Sequence, residues 1–446
     1  MERVSWTMPE PIVVPTARDL SVRTALTGWP RPPFSPALRV AVFTEQGHPH
    51  GSFKSGVTRF TGHLFRYFRE RDLPLDVFTY HDRAGVTLDG SVHFHAARPR
   101  TSVDFHGLRL DPWDVLPVRN RALTDAALRG PAYDVVFATA PGVGTQAQIV
   151  ARRFGAPLVM LFTTDLPSYA AELIQHAGRG VGGLRGLSRM SRDGAWAYLR
   201  WLYDRSRTDL VLAPTQAFRA ELAERVTAPV RVLGRGSDTL DFPRPADLDR
   251  HEGAPTLLFV GRLDIGQKNL GVLVRAVREI PTCRLLLVGD GEHRAQLERE
   301  LAPEIAAQRV RLTGRIDGPD ALREAYRSAD VFAFPSVFDT LGQVVVEAQR
   351  AGLPVVVCDR GGPPELVWDQ VSGFVTDSDD AFVARCRQLV GDRALRVRMG
   401  RAAWEHASRL PTWDQVMERL MGILSAVAER RSVDAPATPF ERRVIA

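Results

Sequence analysis

The stretch FPSVFDTLGQVVVEAQRAGLPVVVCDRGGPPELV (residues 334–367) decides how the chain is read. An apolar run closes at Ser336, a helix-like segment follows, and a second apolar run, LPVVVCD (353–359), comes after it. Continuously apolar runs joined through a helix mark strands buried on both faces of a parallel sheet. Asp339 and Thr340 are placed to cap a helix starting near Leu341 or Gly342. Gly342 in that first turn lets a ligand approach the backbone. The free N–H groups and the positive helix end then make a seat for phosphate. Glu347, eight residues after Asp339, falls about two turns along on a similar side, where a carboxylate accepts hydrogen bonds from ribose hydroxyls. Taken alone, the same residues also fit an ordinary amphipathic helix with one surface Glu, so both readings stand at this point.

The run-and-helix pattern repeats outward from here. The first half holds LRVAVFTE (38–45), LDVFTY (75–80), DVVFATA (134–140), PLVMLFT (157–163), DLVLAPT (209–215) and VRVLGRG (230–236). The second holds TLLFVGR (256–262), RLLLVGD (284–290), VRLTG (310–314), DVFAFPS (330–336), LPVVVCD and the shorter SGFVT (372–376). Two doubly wound α/β units follow, since 446 residues exceed one ordinary core. The polar, proline-bearing segment 238–255 reads as the linker. The expected organisation is an irregular extension over 1–36, a first Rossmann-like domain over 37–237 and a second over 238–410. A helix over 411–430 and a tail over 431–446 complete it. Ligands bind outside the carboxyl ends of such strands. Thr163 to Asp165, Arg235, Arg262, Gly289, Arg315 and Ser336 to Asp339 all fall there.

One residue type stands out in those loops. Of 58 Lys and Arg residues only two are lysine, Lys54 and Lys268, and the second sits in the glycine-punctuated GRLDIGQKNL (261–270). Lysine is a compact point charge where arginine is a planar fork. A lysine kept there suits one cation on a phosphate oxygen in tight space, although a solvated loop lysine fits as well.

The bulk properties narrow the class. Apolar content of 44% and charged content of 25% are those of a globular protein. The net charge of +6 is spread without a block of like charge, which suits an anionic small ligand or an anionic membrane surface. No basic stripe interleaved with aromatics is present, so nucleic acid is not the expected partner. Cys283, Cys358 and Cys386 lack metal-type spacing, and Cys283 and Cys358, in or beside apolar runs, read as buried thiols in a reducing cytosol. MERVSWTMPEPIVVP has no apolar signal core, and no run approaches the ~18 apolar residues of a membrane span. The expectation is a cytoplasmic protein, soluble or peripherally attached, with monomer and dimer both open. AGRGVGGLRGLSRMSRDGAWAYLRWLYDR (177–205) reads as a flexible loop and core helix, or as basic and aromatic surface for weak membrane contact.

FVGRL…K, LLLVGDGE, the D-x7-E block, EAQRAGLPVVV and GGPPELV…G occur in an order and spacing that resemble the family-4 retaining glycosyltransferases of the GT-B fold. The likeness covers most of residues 38–420. RGSDTLDFPRP (235–245) and DTLGQVVVEA are similar to the mannosyltransferase and sulfoquinovosyltransferase branches. The resemblance implies two Rossmann-like domains facing across a cleft, with the last helix crossing back to the first domain near Trp413. It implies transfer of a sugar from a nucleoside-diphosphate donor with retained configuration, GDP before UDP, and no metal or other cofactor. Arg262 and Lys268 would then contact the pyrophosphate, Asp339 the donor sugar and Glu347 the ribose. Thr340, Leu341 and Gly342 would offer backbone N–H groups, Arg315 and Ile316 would meet the base, and Gly56 and Gly289 would let the donor approach. Asp339, Arg262 and Lys268 carry the catalytic roles, with the leaving diphosphate taking the acceptor proton.

Three departures qualify that likeness. TTDLPSY (163–169) places Thr163 where the family has a histidine beside the donor sugar; Thr164 and Asp165 keep the motif. Asp339 is shorter than the usual Glu. EQGHPHGSFKSGV (45–57) is a longer loop than usual, and His48, His50 and Lys54 in it face the expected acceptor side together with Arg235. An altered donor sugar and a small-molecule acceptor, through a hydroxyl or thiol in natural-product (antibiotic) biosynthesis, is one reading. A lipid acceptor at a membrane surface and a catalytically silent scaffold are the alternatives.

Overall fold

The computed structural model describes residues 38–45, 56–98, 103–105, 108–110, 121–140, 142–168, 170–171, 184–205, 208–238, 240, 242 and 253–429. All of them belong to one compact unit spanning residues 32–433. The extension 1–36 and the tail 431–446 lie outside the described residues.

The first sheet is built from β1 (Val40–Thr44), β2 (Leu75–Tyr80), β3 (Gly85–Asp89), β4 (Val92–Ala97), β7 (Val135–Ala140), β8 (Leu158–Phe162), β9 (Leu210–Ala213) and β10 (Val230–Val232), with β5 (Val103–Phe105) and β6 (Leu108–Leu110) forming a separate two-stranded pair. Its order is β10-β9-β8-β7-β1-β2-β4-β3. The second sheet, β11 (Thr256–Val260), β12 (Arg284–Val288), β13 (Val310–Gly314), β14 (Val331–Phe334), β15 (Val355–Cys358) and β16 (Gly373–Thr376), runs β13-β12-β11-β14-β15-β16. Every pairing in the second sheet is parallel. All the apolar runs read from the sequence become strands, because helices on both faces leave them no polar side.

Two strands of the first sheet, β3 and β4, were not among those runs. β3 is an exposed edge strand paired antiparallel to β4, and its residues alternate between solvent and the sheet. The turn between them passes through Gly90 at φ 61°, after Asp89, which is a hairpin signal of the Asp-Gly type. The period-2 pattern of this hairpin hides it from a search for continuous apolar runs.

Strand order reverses between β1 and β7 in one sheet and between β11 and β14 in the other. Crevices outside the carboxyl ends of parallel sheets open at such points. In the second sheet this puts the crevice between the loop that starts at Gly261 and the one that starts at Pro335.

The helix Trp413–Ala428 follows the second sheet but belongs to the first core. Trp413, Val416, Met417, Leu420, Met421 and Leu424 cluster with Val40, Val42, Phe60 and Phe137. Thr412 and Gln415 close a capping box at its start. The Trp413 ring stacks on His63 at 4.3 Å and 6°. A Cβ on Gly236 would lie 2.3 Å from Trp413 Cγ, so only glycine lets the chain pass there. Beside it Ser237 N donates to Pro411 O at 2.8 Å and Trp413 N donates to Asp238 Oδ1 at 2.6 Å. Of the 177–205 segment, the expected loop over 177–183 lies outside the described residues, and the rest forms a helix, Leu184–Arg200, and a π turn, Trp201–Arg205. Its Trp196, Leu199, Leu202 and Tyr203 are buried against the first sheet. Those aromatic residues are core, not a membrane-facing stripe.

Burial lowers the His63 pKa from 6.5 to about 4, with Arg66 and Arg59 adding to the effect and Asp238 and Asp414 opposing it. A histidine held neutral in the fold contributes stability that is complete above 6.5 and is lost as pH falls toward 4. We predict that His63→Phe, which keeps a ring on Trp413, flattens the fall of Tm across that window. Parallel Tm–pH curves for the two proteins would show that His63 is not the group responsible.

Candidate functional site

Two loops at the carboxyl ends of β11 and β14 build the site. In the first, Asp264 is buried and organises the backbone: its Oδ1 accepts from Gln267 N at 3.0 Å and its carbonyl accepts from Lys268 N at 3.1 Å. Gln267 Oε1 accepts from Arg262 Nη2 at 2.5 Å, and the buried Nε of Arg262 has no hydrogen-bond partner among the described residues. The loops are tied together through one carbonyl. Gln267 O accepts from Ser336 Oγ and from Val337 N, each at 3.2 Å.

Across that tie, Lys268 Nζ forms an ion pair with Asp339 Oδ2. The Lys268 ammonium also lies 5.5 Å from the Phe334 ring centre. Burial opposes ionisation of Asp339, but the Lys268 charge and hydrogen bond, a Ser336 hydrogen bond and Arg262 outweigh it and hold the carboxyl below its ordinary range. Lys268 is therefore anchored in the site and is not a solvated loop residue.

The helix expected after Asp339 begins later than the sequence suggests. It spans Gln343–Arg350, and its N-cap is Gly342 at φ 82°, with no side-chain cap. Asp339 and Thr340 do not cap it: Asp339 is taken by Lys268, and Thr340 Oγ1 donates to Thr163 O at 3.4 Å. Asp339 consequently precedes the helix instead of sharing a face with Glu347. The uncapped turn leaves backbone N–H groups at a positive helix end, four residues after the Asp339 that Lys268 pairs with. Gly342 has a packing reason as well, since a Cβ there would lie 2.9 Å from Pro363 Cγ.

Glu347 is not the exposed surface residue of the alternative reading. Its side chain is 1% exposed, its Oε2 accepts from Tyr326 OH at 2.8 Å, and its Oε1 accepts from Arg59 Nη1. Arg59 comes from the other sheet's helix, Gly56–Glu70. The pairing spans the cleft and was not legible in the sequence, though Arg59 lies three residues after Gly56. A second carboxylate also crosses: Glu365 Oε2 accepts from Gln216 N at 2.8 Å, and Ala217 N donates to its Oε1, at the start of the Gln216–Arg225 helix.

The remaining candidates scatter by role. Arg315 is exposed and pairs with Asp317 at 3.3 Å, while Ile316 packs on the second core. Gly289 sits at φ 137°, and a Cβ there would fall 1.8 Å from Gly261 O. Close packing of two strand ends explains that glycine. Gly56 opens its helix in clear space, where an added Cβ would meet nothing within 4 Å. Thr163 meets Thr340 across the cleft. Thr164 O accepts from Leu166 N at 2.9 Å, and Asp165 Oδ1 accepts from Ser168 N at 3.2 Å, which makes both of them turn-forming residues. Burial raises the Asp165 pKa. Arg235 Nη1 donates to Gly234 O at 3.0 Å, and its guanidinium lies 4.8 Å over the Phe60 ring. Burial lowers its pKa to about 10. His48, His50 and Lys54 lie outside the described residues.

Among the described residues, Asp264, Glu292 and His293 bring ligand atoms within 4.8 Å of one another. Asp264 Oδ1 and His293 Nδ1 already accept from Gln267 N and Ile265 N, so the group holds the loop in shape. No described helix is long and apolar enough to cross a membrane.

With this geometry in place, the comparisons with known proteins are specific. The family described as Glycosyltransferase Family 4 matches residues 54–240, and Glycosyl transferases group 1 matches residues 254–392. The chain is 34% identical over 319 residues to a GDP-mannose-dependent alpha-mannosyltransferase of Mycolicibacterium smegmatis, covering 69% of this chain and 77% of the relative. It is 30% identical to a D-inositol 3-phosphate glycosyltransferase of Acidothermus cellulolyticus, covering 84% and 87%. Among solved structures, sucrose-phosphate synthase from Thermosynechococcus elongatus superposes with a TM-score of 0.69 at 19% identity, over 90% of this chain and 100% of that one. Anabaena HepE in complex with UDP-glucose gives 0.63 at 17% identity, over 87% and 100%. The fold is GT-B.

The strand-end packing makes a prediction of its own. Gly289→Ala should destabilise the protein by about 1–3 kcal/mol, the usual range for a strained backbone or an overpacked site. Urea unfolding checks this, and a variant as stable as the wild type would show that the β11 and β12 ends do not meet so closely.

Proposed function

The chain belongs to glycosyltransferase family 4 and is a nucleotide-sugar glycosyltransferase, and from that premise we propose that it transfers a sugar to a small-molecule acceptor with retention of configuration and without a metal ion. The observation that carries this reading is the convergence of Arg262, Lys268 and the uncapped start of the Gln343–Arg350 helix at the strand-order switch of the second sheet. Three sources of positive potential there match a diphosphate.

In this mechanism Lys268 and Arg262 stabilise the charge that grows on the leaving diphosphate, the task a metal would otherwise perform. Asp339 holds the ammonium in place and meets the donor sugar. Glu347, oriented by Tyr326, receives the ribose hydroxyls. The acceptor proton passes to a phosphate oxygen of the departing nucleotide, so no protein nucleophile is required. Backbone groups at Thr340 to Gly342 face phosphate and sugar, and the base lies toward Arg315 and Ile316. Thr163 leaves more room beside the sugar than a histidine would, which supports a donor altered near that position.

GDP is the preferred nucleotide, because the relative at 34% identity is named for GDP-mannose. A small soluble acceptor is preferred over a lipid. The relative covering 84% of the chain is named for an inositol phosphate, and the aromatic residues of 196–203 are committed to the core. Arg235, a half-buried cation on the Phe60 face, suits an anionic group on that acceptor.

A thermal-shift series with GDP, UDP, ADP and dTDP in EDTA tests the reading. Saturating nucleotide at ~100 times Kd stabilises by about 2.7 kcal/mol. One nucleotide should raise Tm clearly, GDP first, and no shift from any of them would favour a silent scaffold. Lys268→Ala should abolish most turnover while the fold persists, and near-normal turnover would remove its phosphate role. Glu347→Ala should weaken nucleotide binding by about 1–3 kcal/mol; unchanged calorimetric affinity would overturn the ribose assignment.

A further inference from the structure

We propose that Arg59 gates the ribose site, by occupying the Glu347 carboxylate across the cleft until a nucleotide displaces it. The proposal rests on the ribose role given to Glu347 above. Glu347 is buried, at 1% exposure, and both of its oxygens are engaged. One bond is permanent in character: Tyr326 is fully buried, packed against Phe242 and Phe332, and its hydroxyl reaches Oε2 at 2.8 Å. The other is not. The Arg59 side chain is 34% exposed, and Glu347 is its only hydrogen-bond or ion-pair partner among the described residues.

The backbone beneath Arg59 is fixed. Phe60 and Thr61 are fully buried, and Phe60 packs edge-on against Trp413 and beside Phe137. The contact with Glu347 therefore breaks by a side-chain swing or by the two domains parting, with the first turn of the Gly56–Glu70 helix unchanged. A carboxylate shielded to this degree offers no face to a ribose diol while the guanidinium covers it. Arginine and ribose hydroxyls are both donors aimed at one acceptor, so they compete for it.

The consequence is a reduced apparent affinity, because only the fraction of molecules with Arg59 withdrawn accepts nucleotide. Withdrawing the guanidinium from a carboxylate this buried costs more than opening a surface pair, so the open fraction is small.

Calorimetry on the full chain with GDP and UDP tests this directly. Arg59→Gln should bind the preferred nucleoside diphosphate at least about fivefold tighter than wild type. Arg59→Lys, which keeps a cation but loses the fork, should show a smaller gain. The matching 2′,3′-dideoxynucleoside diphosphate, with no hydroxyls for Glu347, should bind wild type and Arg59→Gln equally. Unchanged or weaker binding of the ribonucleotide by Arg59→Gln overturns the gate and leaves the ribose site standing. An equal gain with the dideoxynucleotide also overturns it. If neither protein binds any nucleotide, the gate falls together with the ribose site.

Discussion

A single charge pair, Lys268 with Asp339, fixes the rest of the site. It joins the loop after β11 to the loop after β14 and is backed by the two hydrogen bonds that converge on Gln267 O. Even a half-buried ion pair is costly to desolvate and is kept where it serves specificity of arrangement more than stability. Here the arrangement is the alignment of two loops whose strands are neighbours at the point where the sheet order reverses. Because Asp339 is committed to Lys268, it cannot cap the following helix. Gly342 takes that position, and the helix start stays unblocked. Charge placement, helix geometry and site polarity are thus one decision.

Much of this was legible in the sequence, and the reasons are physical. Strands covered on both faces need apolar residues at every position, so the twelve runs from LRVAVFTE to SGFVT stood out against their loops. Lys268 was conspicuous because arginine is used almost everywhere else. The β3–β4 hairpin was hidden by its edge position, where alternation replaces continuity. The helix start was misplaced for a different reason. Asp339-Thr340 has the composition of a cap, and only the distant Lys268 reveals that the carboxylate has another partner.

Contacts across the cleft were the least legible of all. Arg59 and Glu347 are 288 residues apart, and Glu365 meets residues 148 and 149 positions away. Nothing in local spacing encodes such pairs. The family resemblance supplied a role for Glu347 but none for Arg59 or Tyr326. Those two residues hold both oxygens of that carboxylate.

The crossing between domains has a mechanical meaning. The chain passes from the first domain to the second at Gly236-Ser237-Asp238 and returns at Pro411-Thr412-Trp413, and the two passages are bonded side by side through Ser237 N to Pro411 O and Trp413 N to Asp238 Oδ1. A single tether would leave the domains free to twist and slide. Two tethers pinned to each other, with the Trp413 ring seated on His63, act as a door hinge with two adjacent pins. They leave one easy rotation and resist shear and torsion. Such a join favours rotation along one arc over sliding, which keeps residues that face each other across the cleft in register.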